Sequence, residues 1–474
     1  MVFSSSLFLL YFFPIFLLVY YLVSTPWKNM VALIASVFFY MWGAPLFVFV
    51  VGGSILADFY IIRWMDQKKD IERKRILAIS VILNVGLLVY FKYANFLVDN
   101  VNELLSALGA EPVSWIKIAL PIGISFFTFQ KLSYSIDVYR KIHGPLKKLQ
   151  DYALYIILFP QLIAGPIVRF HEIADQIEDR QKNENVDNRL IGFFRFVIGL
   201  SKKVLIANTL GVQVDAIFAL SDGQLGTGIA WMGIIAYSFQ IYYDFSGYSD
   251  MAIGMGRMIG FKFPENFNNP YISQNITEFW RRWHMTLGRW MKDYLYIPLG
   301  GSRVDTKRRL YFNLWIVFLI SGLWHGSAWN FVVWGAYHGL FLVLDRIFLV
   351  RILTRTGRVV SVLFTYLATL VGWVLFRAES FDQVRYYLKA MFSSQSNLVE
   401  QNPGIEFWFF MIVGAFFSFF AIRKGIEDWQ NRLFSEPVGF KFHLWKSILA
   451  IFLLALCIGY ITSSGFNPFI YFRF

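Results

Sequence analysis

The chain has 474 residues, of which 57% are hydrophobic and only 16% charged, more apolar surface than soluble cores of that length could hide, so a soluble enzyme is excluded. Its 44 Lys and Arg outnumber 31 Asp and Glu for a formal net charge of +13; the charges fall in short loops between apolar runs, which reads as the cytoplasmic bias of membrane-protein loops and not as a surface for nucleic acid. The only cysteine, Cys457, rules out an intrachain disulfide or a Cys-based metal site, and its place in the last apolar run argues against a thiol nucleophile.

In chain order, apolar runs near residues 4–23, 30–44, 46–64, 76–98, 118–138, 152–168, 191–220, 228–249, 311–325, 327–349, 359–377, 405–422 and 444–462 predict an all-α integral membrane protein. About 11–13 transmembrane or re-entrant helices are expected, in one polytopic domain over 1–474. The first run has no basic segment before it and no small-residue cleavage site after it, so it reads as a span and not as a signal peptide. Several runs fall short of the ~20 helical residues needed to cross ~30 Å. Such runs are expected to be broken or re-entrant, which the backbone tolerates only beside protein or a water-filled cavity. No internal repeat is evident.

Loop charge sets the orientation. Residues 66–75 hold Lys68, Lys69, Arg73, Lys74 and Arg75, and residues 140–148 hold Arg140, Lys141, Lys147 and Lys148. Both loops are predicted to be cytoplasmic. Counting spans back from the first of them puts the N-terminus outside. Residues 255–309 are polar and rich in Arg and Lys, and the next basic cluster is Arg346, Arg351, Arg355 and Arg358. If both face the cytoplasm, the apolar stretch between them must enter and return as a hairpin. Its turn falls near His325-Gly326-Ser327-Ala328, and a straight helix from Tyr311 would lower His325 by about 21 Å.

The six histidines are the informative residues, because the spans hold few other titratable groups. His143, His171 and His443 lie in or beside charged segments and are expected to be solvated. His325 sits in an apolar context at membrane depth, where an imidazole resists protonation and is a competent general base; a hydrogen-bonded packing role between helices is the alternative. On a helical wheel at about 100° per residue, the stretch 278–295 places Trp280, Trp283, Leu287, Trp290, Met291, Tyr294 and Leu295 on one arc and Arg281, Arg282, Arg289, Lys292 and Asp293 opposite. His284 falls on the apolar arc. One interfacial helix is expected there, with Arg toward lipid headgroups or an anionic ligand. His338 is read as packing in preference to a second pocket group. Asp244, Tyr248 and Asp250, with Ser246 and Ser249, mark the end of an apolar span, either as a cap and helix break or as a pocket wall. No HExxH pair, GxSxG elbow, Walker A or complete GxGxxG arrangement occurs, and Gly254-Met255-Gly256 is too little for a nucleotide loop.

Longer motifs then become recognisable. The runs Tyr243-Asp244-Phe245-Ser246-Gly247-Tyr248-Ser249-Asp250, Pro264-Glu265-Asn266-Phe267 with Pro270-Tyr271, and Phe279-Trp280-Arg281-Arg282-Trp283-His284 resemble the membrane-bound O-acyltransferase family. So do Asp293-Tyr294-Leu295-Tyr296-Ile297 with Leu299-Gly300-Gly301, and Gly322-Leu323-Trp324-His325-Gly326. The branch resembled is the bacterial alginate O-acetyltransferase type, related to the D-alanyl transfer protein of teichoic acid modification. Phe91-Lys92-Tyr93-Ala94-Asn95-Phe96, Leu120-Pro121-Ile122-Gly123-Ile124-Ser125-Phe126 and Ala164-Gly165-Pro166 match that branch too.

The resemblance implies helices around a central tunnel, a catalytic core at approximately 228–349, and a donor arriving from the cytoplasm. His325 matches the family's catalytic histidine, and His284 the second histidine of this branch. Trp280, Arg281, Arg282, Trp324, Asp244 and Tyr248 become candidate substrate-binding residues. No bound cofactor or metal is implied; the acyl donor would be acetyl-CoA or an acyl-carrier thioester. The acceptor would be an extracellular or cell-envelope polysaccharide such as alginate, cellulose or peptidoglycan. A separate extracytoplasmic partner of the SGNH-hydrolase type would place the acetyl group on the polymer, and the chain would lie in the bacterial cytoplasmic membrane. The rival readings are a transporter or flippase for polysaccharide precursors, D-alanyl transfer to teichoic acid, and a non-catalytic scaffold. Transporters commonly carry repeat symmetry and mid-span acidic ion-coupling groups, and neither is evident.

Overall fold

The computed structural model describes residues 1–394, 401–435 and 439–464, which are helices and connecting segments with no strand. Five helices are long and apolar enough to cross a membrane by length and composition: Phe47–Asp66, Asp70–Ala107, Arg358–Arg377, Ile405–Ile422 and Phe440–Ser463. The apolar helix Phe8–Leu22 is shorter. The run expected at 152–168 is interrupted, as its length implied: Leu149–Ile157 ends, and a new helix, Phe159–Leu162, starts with Pro160 in its first turn. The described chain groups into two compact units, one of residues 7–185 with 259–263, the other of 2–6, 186–258 and 264 onward.

The first unit is organised around a buried carboxylate. Asp58 on Phe47–Asp66 accepts hydrogen bonds from Ser80 Oγ at 2.6 Å, Asn84 Nδ2 at 3.0 Å and Tyr152 OH at 2.5 Å, and Ser80 also meets Ser135 at 2.8 Å. Four helices thus converge on one charge. Such satisfaction is what an acidic group requires away from water. Lys131 is fully buried on the helix Ile124–Tyr139. Apolar side chains such as Phe49 and Ile82 point outward, as a lipid-facing surface requires. The two basic loops adjoin at one end, where Arg73 donates to the Val138 carbonyl at 2.6 Å and Arg63 to that of Lys147 at 3.2 Å. They therefore share a side, as their charge predicted.

All three histidines expected to be solvated have a carboxylate neighbour, with His143 and His171 also partly exposed. His171 has Nδ1 at 2.8 Å from the buried carboxylate of Asp137, whose field draws the ring inward. His443, in the second unit, is buried, with Nε2 at 3.6 Å from Asp187. His143 stays partly exposed.

In the second unit the helix Val186–Ser201 packs along Thr227–Met258. Glycines set the approach: a Cβ on Gly199 would stand 2.5 Å from the Gly247 carbonyl oxygen, and one on Gly254 2.6 Å from that of Gly192. Gly254 is thus a packing surface in a continuous helix. The 227–258 helix runs unbroken over 32 residues, so the break considered near Asp244 does not occur; Asp244 pairs with Lys203 at 2.5 Å. Arg195 reaches Asp250 at 2.6 Å and grips Glu265 through two nitrogens at 3.0 and 2.6 Å, and Lys202 adds a 2.6 Å contact to Asp250.

The hairpin expected around His325 is present as Lys307–His325 followed by Trp329–Leu344, two helices packed on each other. Gly322 and Gly335 meet backbone to backbone there.

The crossing of the 186–201 and 227–258 helices makes a paired test. Gly199→Ala should lower the thermal unfolding midpoint of the purified full chain, by a destabilisation of roughly 1–3 kcal/mol from overpacking. Gly86→Ala, at a helical glycine with nothing within 4 Å of its Cβ position, should be neutral or stabilising by up to about 1 kcal/mol.

Candidate active site

The amphipathic stretch 278–295 does not form one helix. Ile276–Arg282 begins with a reciprocal cap, in which Asn275 accepts the Glu278 N–H at 2.7 Å and the Glu278 carboxylate accepts that of Gln274 at 2.9 Å. It stops at Trp283, and a new helix, Met285–Met291, starts one residue later. His284 at the junction is left-handed, φ 45° and ψ 53°, an uncommon conformation for a non-glycine residue.

The cause of the break lies eighteen residues earlier. The Asn266 carbonyl accepts the Met285 N–H at 2.9 Å, and its Oδ1 accepts the Thr286 N–H at 3.3 Å. Those are orphan donors of a new first turn, so Asn266 caps the second helix from outside it. The single-helix expectation fails because a wheel carries no term for a capping group distant in sequence. The apolar arc survives nonetheless: Trp283, Leu287, Trp290, Met291 and Tyr294 are buried, and His284 is 1% exposed.

His284 Nδ1 lies 2.9 Å from Asn266 Oδ1, and its ring meets Phe245 edge-on at 4.7 Å. Trp324 is shared by the two candidate histidines, with ring centroids 6.0 Å from His284 and 4.9 Å from His325. His325, the last residue of its helix and 5% exposed, is walled further by Trp334 at 5.0 Å and Phe376 at 5.5 Å. Trp334 also contacts His338 at 5.1 Å, and Trp280 closes the row at 4.9 Å from His338 and 5.4 Å from Trp334. Such apolar walls shield these imidazoles from water. They can take up a proton or a hydrogen bond and are poorly placed to carry charge.

The arrangement therefore brings together His284, Trp324 and His325, with Trp280 joined through Trp334 and His338. Asp244 and Tyr248 stand in other contacts, the first with Lys203 and the second stacked on Phe3 at 4.5 Å. Arg281 is exposed, whereas Arg282 is committed to Glu278 at 2.9 Å and Glu427 at 3.3 Å. Sequence reasoning gave no role to Asn266, Phe245 or Trp334. Only the position of Asn266 inside a long motif pointed to it.

A sequence model of the membrane-bound O-acyltransferase family matches residues 143–360, which enclose both histidines. The "Probable alginate O-acetylase AlgI" of Azotobacter vinelandii is 45% identical over 83% of this chain and 78% of its own length. The protein of that name from Pseudomonas putida is 40% identical over the whole of both chains. The peptidoglycan O-acetyltransferase of Helicobacter pylori is 37% identical over 82% of this chain and 80% of its own. The chain belongs to the membrane-bound O-acyltransferase family. It is a multi-pass, all-helical membrane protein and an O-acyltransferase, and the aromatic enclosure of His284 and His325 is the candidate site of a membrane-bound O-acyltransferase.

His284 lies outside the membrane-spanning helices, and burial lowers its imidazole from the ordinary 6.5 to about 3. Between those values the unfolded chain binds a proton that the folded chain refuses, so stability is lost as pH falls below about 6.5, by at most ~1.4 kcal/mol per unit. Thermal unfolding midpoints of the full chain should therefore fall less steeply between pH 6.5 and 5 in His284→Asn than in the wild type. Asparagine tolerates the left-handed backbone at this position.

Proposed function

We propose that this chain moves an acetyl group from a cytoplasmic thioester donor, acetyl-CoA or an acyl carrier, to or across the membrane for O-acetylation of a cell-envelope polysaccharide. The observation that carries the reading is the sharing of Trp324 by two buried imidazoles in a chain of this family. The names of the relatives, alginate O-acetylase and peptidoglycan O-acetyltransferase, support a polysaccharide acceptor. The exposed Arg281 and the basic segment 255–309 favour arrival of an anionic donor on that side, which the positive-inside rule makes cytoplasmic. The protein then sits in the bacterial cytoplasmic membrane with its N-terminus outside, and a separate SGNH-hydrolase-like partner acts beyond it.

In this mechanism His325 is the general base. Its neutral imidazole takes the proton of the acceptor hydroxyl as the oxygen attacks the thioester carbonyl. The tetrahedral intermediate collapses with cleavage of the carbon–sulfur bond, and the departing thiolate takes the proton back from the imidazolium. The acceptor gains acetyl, the donor leaves as a thiol, and His325 is neutral again. His284 either orients the hydroxyl or stabilises the developing oxyanion. The helix Lys307–His325 carries His325 about 27 Å along its axis from Lys307, deep enough for the attack to occur away from the cytoplasmic surface.

His325→Ala should lower the O-acetyl content of the envelope polymer at least about a hundredfold, the lower range for loss of a general base, with normal abundance of the protein in the membrane. Mass analysis of polymer from cells carrying only the variant, alongside quantitative immunoblotting of membranes, reads both. Unchanged acetylation at normal abundance would remove His325 from catalysis.

A further inference from the structure

The hydrogen bonds around Asn266 fix which nitrogen of His284 carries the proton. Asn266 Oδ1 is 3.3 Å from the Thr286 backbone nitrogen. A backbone N–H only donates, so the atom facing it is the oxygen and not the amide nitrogen. The amide nitrogen then points the other way, where it donates to Ser249 Oγ at 3.0 Å. His284 Nδ1 stands 2.9 Å from that same Oδ1. Two acceptors cannot share a hydrogen bond, so Nδ1 must bear the hydrogen. In a neutral imidazole the other nitrogen then has a lone pair and no proton. That atom, Nε2, is buried with no hydrogen-bond partner among the described residues. An unsatisfied acceptor at a site costs free energy, and a hydroxyl-bearing ligand would satisfy it.

The groups around the ring leave the neutral form in place. From the 227–258 helix, Asp244 and Asp250 are neutralised by Lys203 and by Arg195 with Lys202. Beside Asn266, Glu265 is held by Arg195. Beside His284, Arg282 is held by Glu278 and Glu427. From the 307–325 helix, the titratable neighbour beyond Trp324 is His325.

We propose that Asn266 is a positioning residue that holds His284 as the Nδ1–H tautomer, so that its bare Nε2 accepts a hydrogen bond from the incoming acceptor hydroxyl. This inference rests on the functional reading above and decides between the two roles left there for His284. Oxyanion stabilisation needs a donor, and a bare Nε2 cannot provide one. His284 therefore orients the hydroxyl. The group acting on it is of alcohol type, as on a sugar, and the bond is made before the hydroxyl proton moves.

The decisive measurement is nitrogen NMR of the full chain, labelled with 15N-histidine and held in lipid nanodiscs at neutral pH. The His284 resonances are assigned by their loss in His284→Asn. A protonated Nδ1 with an unprotonated Nε2 supports the proposal, and a proton on Nε2 overturns it, whatever any variant does. Asn266→Leu, of similar size without an acceptor, should release the tautomer and lower polymer acetylation about tenfold or more, short of the loss in His284→Asn. An Asn266→Leu chain at normal abundance with wild-type acetylation and an unchanged tautomer overturns the positioning role. If that variant fails to accumulate, because Asn266 also caps a helix, the wild-type spectrum still decides. Failure of the functional reading is separate: His284→Asn would then acetylate polymer normally, with the wild-type tautomer as inferred.

Discussion

The near-contact of two helix backbones underlies the candidate site. Where Gly199 faces Gly247 and Gly192 faces Gly254, the 186–201 and 227–258 helices approach to distances no side chain would allow. At that separation Arg195 on one helix reaches Asp250 on the other and continues to Glu265. Glu265 is the neighbour of Asn266, so the same guanidinium that ties the helices together also anchors the segment that grips His284. Phe245 and Ser249, on the 227–258 helix, contact His284 and Asn266 directly. One close crossing thus sets both the floor of the site and the strand of irregular backbone above it.

Low dielectric explains why this protein organises its polar groups so differently in its two units. Asp58 is surrounded by donors, and it holds helices together. A carboxylate so saturated has little left to offer a ligand. The site histidines are arranged in the opposite way. They are enclosed by Trp324, Trp334, Phe376 and Phe245, with few polar contacts, and one nitrogen of His284 is left over. Asp58 is thus spent on holding helices together, whereas His284 keeps one nitrogen for a ligand.

The parts of this architecture legible in the sequence were those carried by local pattern. Composition excluded a soluble protein, charge placed two basic loops on one side, and the polar turn after His325 marked the hairpin. His284 and His325 stood out because titratable groups are scarce in apolar runs. What was hidden depends on partners remote in the chain. The break at Trp283 and His284 follows from Asn266, and no periodicity within 278–295 signals it. The pairing of Asp244 with Lys203 was not visible in the sequence, and His443 looked solvated until Asp187 was beside it. The glycines offered a missed clue: 192 and 199 on one helix and 247 and 254 on the other share a seven-residue spacing, two turns of one face.

The left-handed backbone of His284 bears on how such a site is maintained. A non-glycine residue there costs on the order of 1–3 kcal/mol unless its surroundings over-determine it. Continuing the helix from Arg282 through His284 would avoid that cost and keep the amphipathic arc intact. It would also turn the imidazole away from Asn266, since each added helical residue rotates the side chain by about 100°. The strained junction is favoured because Asn266 meets it twice: its backbone carbonyl accepts the Met285 N–H, and its side-chain Oδ1 accepts the N–H and the hydroxyl of Thr286 and faces the imidazole. The side-chain oxygen that helps cap the new helix is therefore also the atom that selects the tautomer. Helix break and histidine chemistry thus both depend on one residue, the break through its backbone carbonyl and side chain and the tautomer through its side chain alone.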